Sequence, residues 1–238
     1  MDRLEHFRRR YATLHPGWEH ATARYQRWIA NCLTPTTRVL DLGCGRGGVV
    51  ERLHTAGRWT GCDPDWASLA EHRLSSPHAS PFPRSQASAE RLPFTDKSFD
   101  LVVSSWVLEH LPHPERTFHE VARVLRPGGR FIFLTPNTRH PIPRLSRWLA
   151  RLETLQTTIV AQAYRRAAGD AFPVHYRANT LNELAHLATR AHLQLVQLEL
   201  VDDPSYFAWD DASFALSVIF EKMLPAMWKV HIVGEYVK

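Results

Sequence analysis

Apolar positions along the chain change their period several times, and each change marks an element. Residues 18–32 set Trp18, Ala21, Tyr25, Trp28, Ile29 and Cys32 at helical spacing, so a helix is expected there, broken by Pro35. TRVLDL follows as a β-branched and leucine run, the pattern of a strand. The turn GCGRGG leads into VVERLHTAG, a helix that Gly57 stops. WTGCDPD gives a second short strand ending at Asp63, and residues 65–74 a further helix. SSPHASPFPR is a proline-rich loop, and a short third strand is expected near 84–88. FDLVVSSW (99–106) is apolar nearly throughout, as a strand buried on both faces should be. PERTFHEVARVLRPGG opens with Pro114, which suits a first helical turn, carries the stripe Phe118, Val121 and Leu125, and stops at PGG. RFIFLTP (130–136) is a fifth strand. TLNELAHLATRAHL has Thr180 and Glu183 at capping-box spacing, and LQLVQLEL and KVHIVGEYV are two final strands.

Strand and helix alternate five times. The expected fold class is therefore α/β: a Rossmann-like, doubly wound, seven-stranded and mostly parallel sheet, forming a single domain over 1–238. A ligand of such a sheet sits beyond the carboxyl ends of its strands, at the switch point beside the first strand. Three stretches fall outside the alternation: an N-terminal helical segment (1–35), residues 137–178 and residues 202–224. Leu145, Trp148, Leu149, Leu152, Gln156, Ile159 and Ala163 repeat with a period near 3.6, so 137–178 is expected to be largely helical. It leaves the sheet at the ligand end and should cover the active site. Residues 202–224 begin acidic and aromatic and end as an amphipathic helix. Packing on the core is the plain expectation, with a homodimer face or a peripheral membrane contact as alternatives.

Composition narrows the partners. A chain of 238 residues with 44% hydrophobic residues can bury a sizeable core. Its N-terminus is charged from the start, which predicts no signal peptide, and its longest apolar stretches are too short for a membrane span. The three cysteines Cys32, Cys44 and Cys62 form no CxxC pair, which predicts reduced thiols and a cytoplasmic location. The histidines show no metal-ligand spacing, so no metal is expected. The net charge of +5 is matched by residues 138–177 alone, with seven arginines against Glu153 and Asp170. That segment is either a solvated helix face or a surface for an anionic or carrier-bound substrate or a lipid headgroup. Its arginines are not interleaved with exposed-looking aromatics or glycines, which argues against nucleic acid.

The most informative stretch is VLDLGCGRGG (39–48). Gly43, Gly45 and Gly48 satisfy G-x-G-x-x-G, a pattern that commonly cradles a dinucleotide pyrophosphate at a helix N-terminus. Asp41 stands beside that position and would repel the phosphates. A ligand bearing an ammonium and a sulfonium reverses the sign. Asp63, twenty residues after Gly43, lies where an acid accepts from ribose hydroxyls. The residues therefore suit a cationic nucleoside without phosphate, such as S-adenosyl-L-methionine (SAM).

Here the sequence resembles the class I SAM-dependent methyltransferases of the ubiquinone/menaquinone-biosynthesis type, the methyltransferase domain 11-like family. The motifs VLDLGCGRGG, GCDPD, ASAERLPFTDKSFDLVVSSWVLEHL and VARVLRPGGRFIFLTPN occur in order over about 39–137. The resemblance implies SAM as cofactor, S-adenosyl-L-homocysteine as product, and a site in which Gly43, Cys44 and Gly45 line the methionine portion. Asp63 and Pro64 would meet the ribose and adenine, Ala89 and Glu90 would approach the adenine, and Ser88 replaces the family's usual aspartate. Ser105 and Trp106 would lie beside the sulfonium. His110 is the expected general base, and Tyr11, His140, His175, Tyr176 and Arg177 are candidate substrate contacts. The implied function is methyl transfer to oxygen or carbon of a small molecule such as a polyketide, sugar or lipid precursor. A nicotinamide oxidoreductase is the alternative that Asp41 opposes, and a non-catalytic SAM-binding protein is a third. A nucleic-acid N-methyltransferase ranks lower, because SSWV stands where [DN]PP[YFW] would be expected.

Overall fold

In the computed structural model, residues 3–47, 53, 57–75, 83–149 and 172–238 are described. The seven strands are β1 (Arg38–Leu42), β2 (Arg58–Asp63), β3 (Arg84–Gln86), β4 (Phe99–Ser105), β5 (Leu125–Pro136), β6 (Gln194–Val201) and β7 (His231–Val237). They form one sheet in the order β3-β2-β1-β4-β5-β7-β6. The first five are parallel, and β7 runs antiparallel to both β5 and β6. The chain works outward from β1 to β3, then crosses back to β4. The switch point therefore lies between the carboxyl ends of β1 and β4.

Seven helices of eight or more residues are described: α1 (Arg3–Leu14), α2 (Ala21–Cys32), α3 (Trp66–Ser75), α4 (Pro114–Val124), α5 (Pro141–Leu149), α6 (Leu181–Arg190) and α7 (Asp211–Met223). The helix expected after the glycine turn falls mainly outside the described residues, as does 150–171 of the expected covering helix; α5 is the helix described in that insertion. The second insertion begins with a short 3-10 turn (Pro204–Phe207) and continues as α7.

Strand alternation sorts the core into two layers. Leu40, Leu42, Val102, Phe131 and Phe133 face α4 and α6, where they meet Phe118, Val121, Leu184 and Leu187. Val39, Leu101, Val103, Ile132 and Leu134 face α2, where Tyr25, Trp28 and Ile29 cover them. Asp41, two residues after Val39, shares the α2 side. Thr180 begins α6 as expected, its hydroxyl accepting from the Glu183 N–H at 3.2 Å. β5 begins five residues before the expected strand, because Leu125 already pairs with Phe99 while Gly128 and Gly129 bond to Lys238.

Gly234 in β7 faces Phe133 across the ladder. A Cβ there would lie 2.3 Å from Phe133 Cζ, and that ring also stacks on Tyr236 at 5.7 Å. Gly234→Ala is expected to destabilise the fold by about 1–3 kcal/mol through overpacking, read as a lower urea midpoint. Among the described residues no helix is long and apolar enough to cross a membrane.

Candidate cofactor pocket and active site

The site is assembled from strand ends. β1 delivers Asp41 to the switch point in register with Gly61 of β2 and Val103 of β4. Its side chain is buried, and among the described residues no hydrogen bond stabilises its charge. Burial first, and then the nearby Asp63, push its carboxyl up from 3.8 to about 7. The buried Tyr25 hydroxyl is also raised, by burial and by Asp41.

The glycine turn is fastened to β2. Gly43 and Cys44 donate their N–H groups to the Cys62 carbonyl at 2.7 and 3.1 Å, and Gly45 donates to Asp63 Oδ2 at 2.9 Å. Asp63 Oδ1 accepts from the Asp65 N–H at 2.8 Å. Burial raises the Asp63 carboxyl, while these two N–H groups oppose the rise. Gly43 adopts φ +76, and a Cβ on it would lie 2.2 Å from Val107 Cγ2. The loop after β4 thus closes directly onto the turn. Cys44 and Cys62 are buried thiols, both raised by burial and by the neighbouring acids, which keeps them protonated and poor nucleophiles.

The third-strand segment joins the same region, with the Ala87 N–H on the Asp63 carbonyl at 3.1 Å. Ala89 is buried, and Ser88 Oγ accepts from the Glu90 N–H. The Glu90 carboxylate is bound within the protein. It accepts from the His113 N–H at 3.0 Å, before the first turn of α4, where exposed helix N–H groups attract an anion. Pro64 offers its carbonyl to Gln86 Nε2 at 3.1 Å.

Ser105 ends β4, and Trp106 follows it. Trp106 has φ +59, a left-handed backbone that a bulky residue rarely adopts, and its N–H is held by the Leu134 carbonyl at 3.0 Å. Strain of this kind collects at ligand sites. Its ring meets His231 edge-on at 5.1 Å, and His231 Nε2 pairs with the Tyr206 hydroxyl at 2.9 Å. Burial lowers His231 to about 4, so its imidazole is neutral at pH 7.

His110 follows in a 3-10 turn, with Nδ1 2.9 Å from the Pro173 carbonyl. A carbonyl only accepts, so Nδ1 carries a proton in this contact. The irregular segment 172–177 lies across this turn. His175 and Tyr176 donate their N–H groups to the Glu109 carbonyl, and Arg177 Nη1 reaches the Pro112 carbonyl at 2.6 Å. His175 is lowered by burial and by Arg177, His110 and His113.

Two expected substrate contacts are engaged within the protein. His140 is fully buried; Nδ1 accepts from the Ile142 N–H at the start of α5, and Nε2 meets Glu221 of α7 at 3.2 Å. It is a helix cap and an inter-helix tie. Tyr11 packs with Phe7, Ala208 and Phe214 and gives its hydroxyl to Asp202 at 3.0 Å. It braces α1 against the second insertion rather than closing over the glycine turn. Sequence reasoning also passed over His231, Tyr206 and the buried Glu109, which accepts from Thr135 at 3.3 Å. A histidine opening the last strand gives no local signal; only the antiparallel return of β7 brings it to Trp106.

Glycine turn, buried Asp41 and Asp63 at the switch point of this strand order define the class I SAM-dependent methyltransferase fold. Residues 40–133 match the family model described as Methyltransferase domain. The chain is 36% identical over 118 residues to the fatty-acid O-methyltransferase of Mycolicibacterium smegmatis, a match covering 48% of this chain and 42% of the relative. It is 33% identical over 130 residues to the ubiquinone/menaquinone biosynthesis C-methyltransferase UbiE of Brucella anthropi, covering 52% of this chain and 48% of the relative. The chain thus spans less than half the length of these relatives. Its fold resembles the geranyl diphosphate C-methyltransferase of Streptomyces coelicolor A3(2) solved with S-adenosyl-L-homocysteine, with a TM-score of 0.63 and 14% identity over 90% of this chain and 75% of that one. Among the described residues no group of His, Cys, Asp and Glu is placed to hold a metal ion.

Proposed function

We propose that this protein is a SAM-dependent methyltransferase acting on an oxygen or carbon of an apolar small molecule, such as a fatty acid, quinone or other lipid precursor. One observation carries the proposal: a buried carboxylate, Asp41, with no hydrogen bond among the described residues to balance its charge, beside a second acid and bare glycine backbone. A diphosphate would be repelled there, whereas an ammonium or sulfonium supplies the missing countercharge. The lipid-type acceptor is suggested by the fatty-acid and quinone relatives. Buried, unpaired Cys44 and Cys62 fit a reducing cytoplasm.

Bound SAM would supply an activated methyl group on sulfur and depart as S-adenosyl-L-homocysteine. Asp41 would hold the methionine ammonium, and Gly43 to Gly45 would line the amino-acid portion without side chains in the way. Asp63 would take the ribose hydroxyls, since each of its oxygens keeps acceptor capacity beyond the one N–H it binds. Ser105 and Trp106 would border the reacting centre and exclude water, and orientation of this kind supplies roughly 7–11 kcal/mol of the barrier. His110 would remove the acceptor's proton. His175, Tyr176 and Arg177, held against the same turn, would form the acceptor side of the site.

The test is calorimetric binding of S-adenosyl-L-homocysteine followed by methyl transfer from labelled SAM to a panel of hydroxylated and carboxylated lipids. His110→Gln should lower kcat by about 10²–10⁴ and remove the ascending limb of the pH–rate profile, with cofactor affinity unchanged. Full activity in this variant would remove His110 from the mechanism, and absence of adenosyl binding by the wild type would reject the function.

A further inference from the structure

The outward side of α7 is apolar where a surface helix is normally polar. Phe214 and Ser217 are buried, and Glu221 turns inward to His140. On the opposite side Leu216, Ile219 and Met223, at i, i+3 and i+7, are 67%, 55% and 79% exposed. The apolar surface continues beyond the helix. The Phe220 ring lies 6.4 Å from Phe207, which lies 6.5 Å from Trp209, itself 65% exposed.

Cations border this surface. Arg3 sits over the Trp209 ring at 5.6 Å, Arg139 reaches Met227 Sδ at 3.9 Å, and Lys222 lies on α7 itself. The acids at the head of the helix are engaged within the protein: Asp210 caps it through Ser213, and Asp211 pairs with Arg10.

We propose that this face docks the protein onto an anionic lipid bilayer. Leu216, Ile219, Met223 and Trp209 enter the boundary between headgroups and acyl chains, and Arg3, Arg139 and Lys222 meet the lipid phosphates. Charge selects a bilayer over a second copy of the chain. A two-fold dimer on this face would bring the same cations of two protomers together, whereas an anionic surface attracts all of them. The face also lies at the ligand end of the sheet. Phe220 contacts the His140 ring at 6.4 Å, and the segment holding Met227 runs directly into His231, which touches Trp106. A docked molecule would therefore hold its candidate site close to the membrane.

The experiment is co-sedimentation of the full chain with vesicles of phosphatidylcholine alone or with one-third phosphatidylglycerol. No cofactor is added, so the outcome is independent of the methyltransferase proposal. The wild type is expected to bind the anionic vesicles at least tenfold more tightly than the neutral ones. Leu216→Ser/Ile219→Ser/Met223→Ser, folded by circular dichroism, should lose at least tenfold of that binding, and Lys222→Glu severalfold. Equal binding by the triple variant, no binding by the wild type, or a concentration-dependent dimer that the triple variant abolishes would each overturn the proposal.

Discussion

Asp41→Asn is expected to stabilise the cofactor-free protein at pH 8 while weakening SAM binding by at least about a hundredfold. Folding raises the Asp41 carboxyl from 3.8 to about 7, so between those values the folded state holds a proton that the unfolded chain releases. Stability falls with pH wherever the folded state binds more protons. The destabilisation is small near pH 4, grows as pH rises, and is fully expressed above about 7. Asparagine stands in for the neutral carboxyl at every pH. The variant should therefore gain little near pH 4 and on the order of 4 kcal/mol at pH 8, from about three pH units at 1.36 kcal/mol each. Urea unfolding at both pH values measures this gap. A variant no more stable than the wild type at pH 8 would mean that Asp41 carries no uncompensated charge. The same residue then shows a trade between stability and function, because the unfavourable charge of the apo state is the one a cationic ligand neutralises.

The second large effect belongs to Gly43. At φ +76 any L side chain is strained by about 1 kcal/mol, and here a Cβ would also lie 2.2 Å from Val107 Cγ2. Overpacking against a held loop adds about 1–3 kcal/mol, so Gly43→Ala should cost about 2–4 kcal/mol. It should also displace the turn N–H groups now tied to the Cys62 carbonyl, and so abolish measurable cofactor binding. Combining it with Val107→Ala separates the two causes. Removing the Cγ atoms should recover the packing part and leave about 1 kcal/mol of backbone strain. A double variant no better than Gly43→Ala would assign the whole cost to the backbone.

The sheet was legible because its strands are continuous apolar runs bounded by glycine and proline, and because Asp41 and Asp63 stand at fixed distances from the glycines. What lay beyond sequence depends on pairing across long separations. His140 looked like a substrate contact because it follows β5, yet α7, some eighty residues later, supplies Glu221 and turns it into a buried tie. Glu90 follows the third strand and was expected near the adenine, and its carboxylate accepts from the His113 N–H at the nearby start of α4. His231 and Tyr206 carry no local motif; they meet only because β7 returns antiparallel beside β5. The outward apolar stripe of α7 was visible as an amphipathic period, but which side faced the core was fixed by the partners of Phe214 and Glu221.

The most direct measurement is calorimetric titration of the wild type with SAM from about pH 5.5 to about pH 7.5, a range below the ordinary titration of an α-amino group, with NAD as the comparison ligand. The pocket described here predicts that SAM binds, that its affinity falls roughly 25-fold toward the acid end as Asp41 takes up a proton, that Asp41→Asn removes this dependence, and that NAD does not compete. A wild type that binds SAM equally well across the range, or that prefers NAD, would contradict a pocket built on the Asp41 charge.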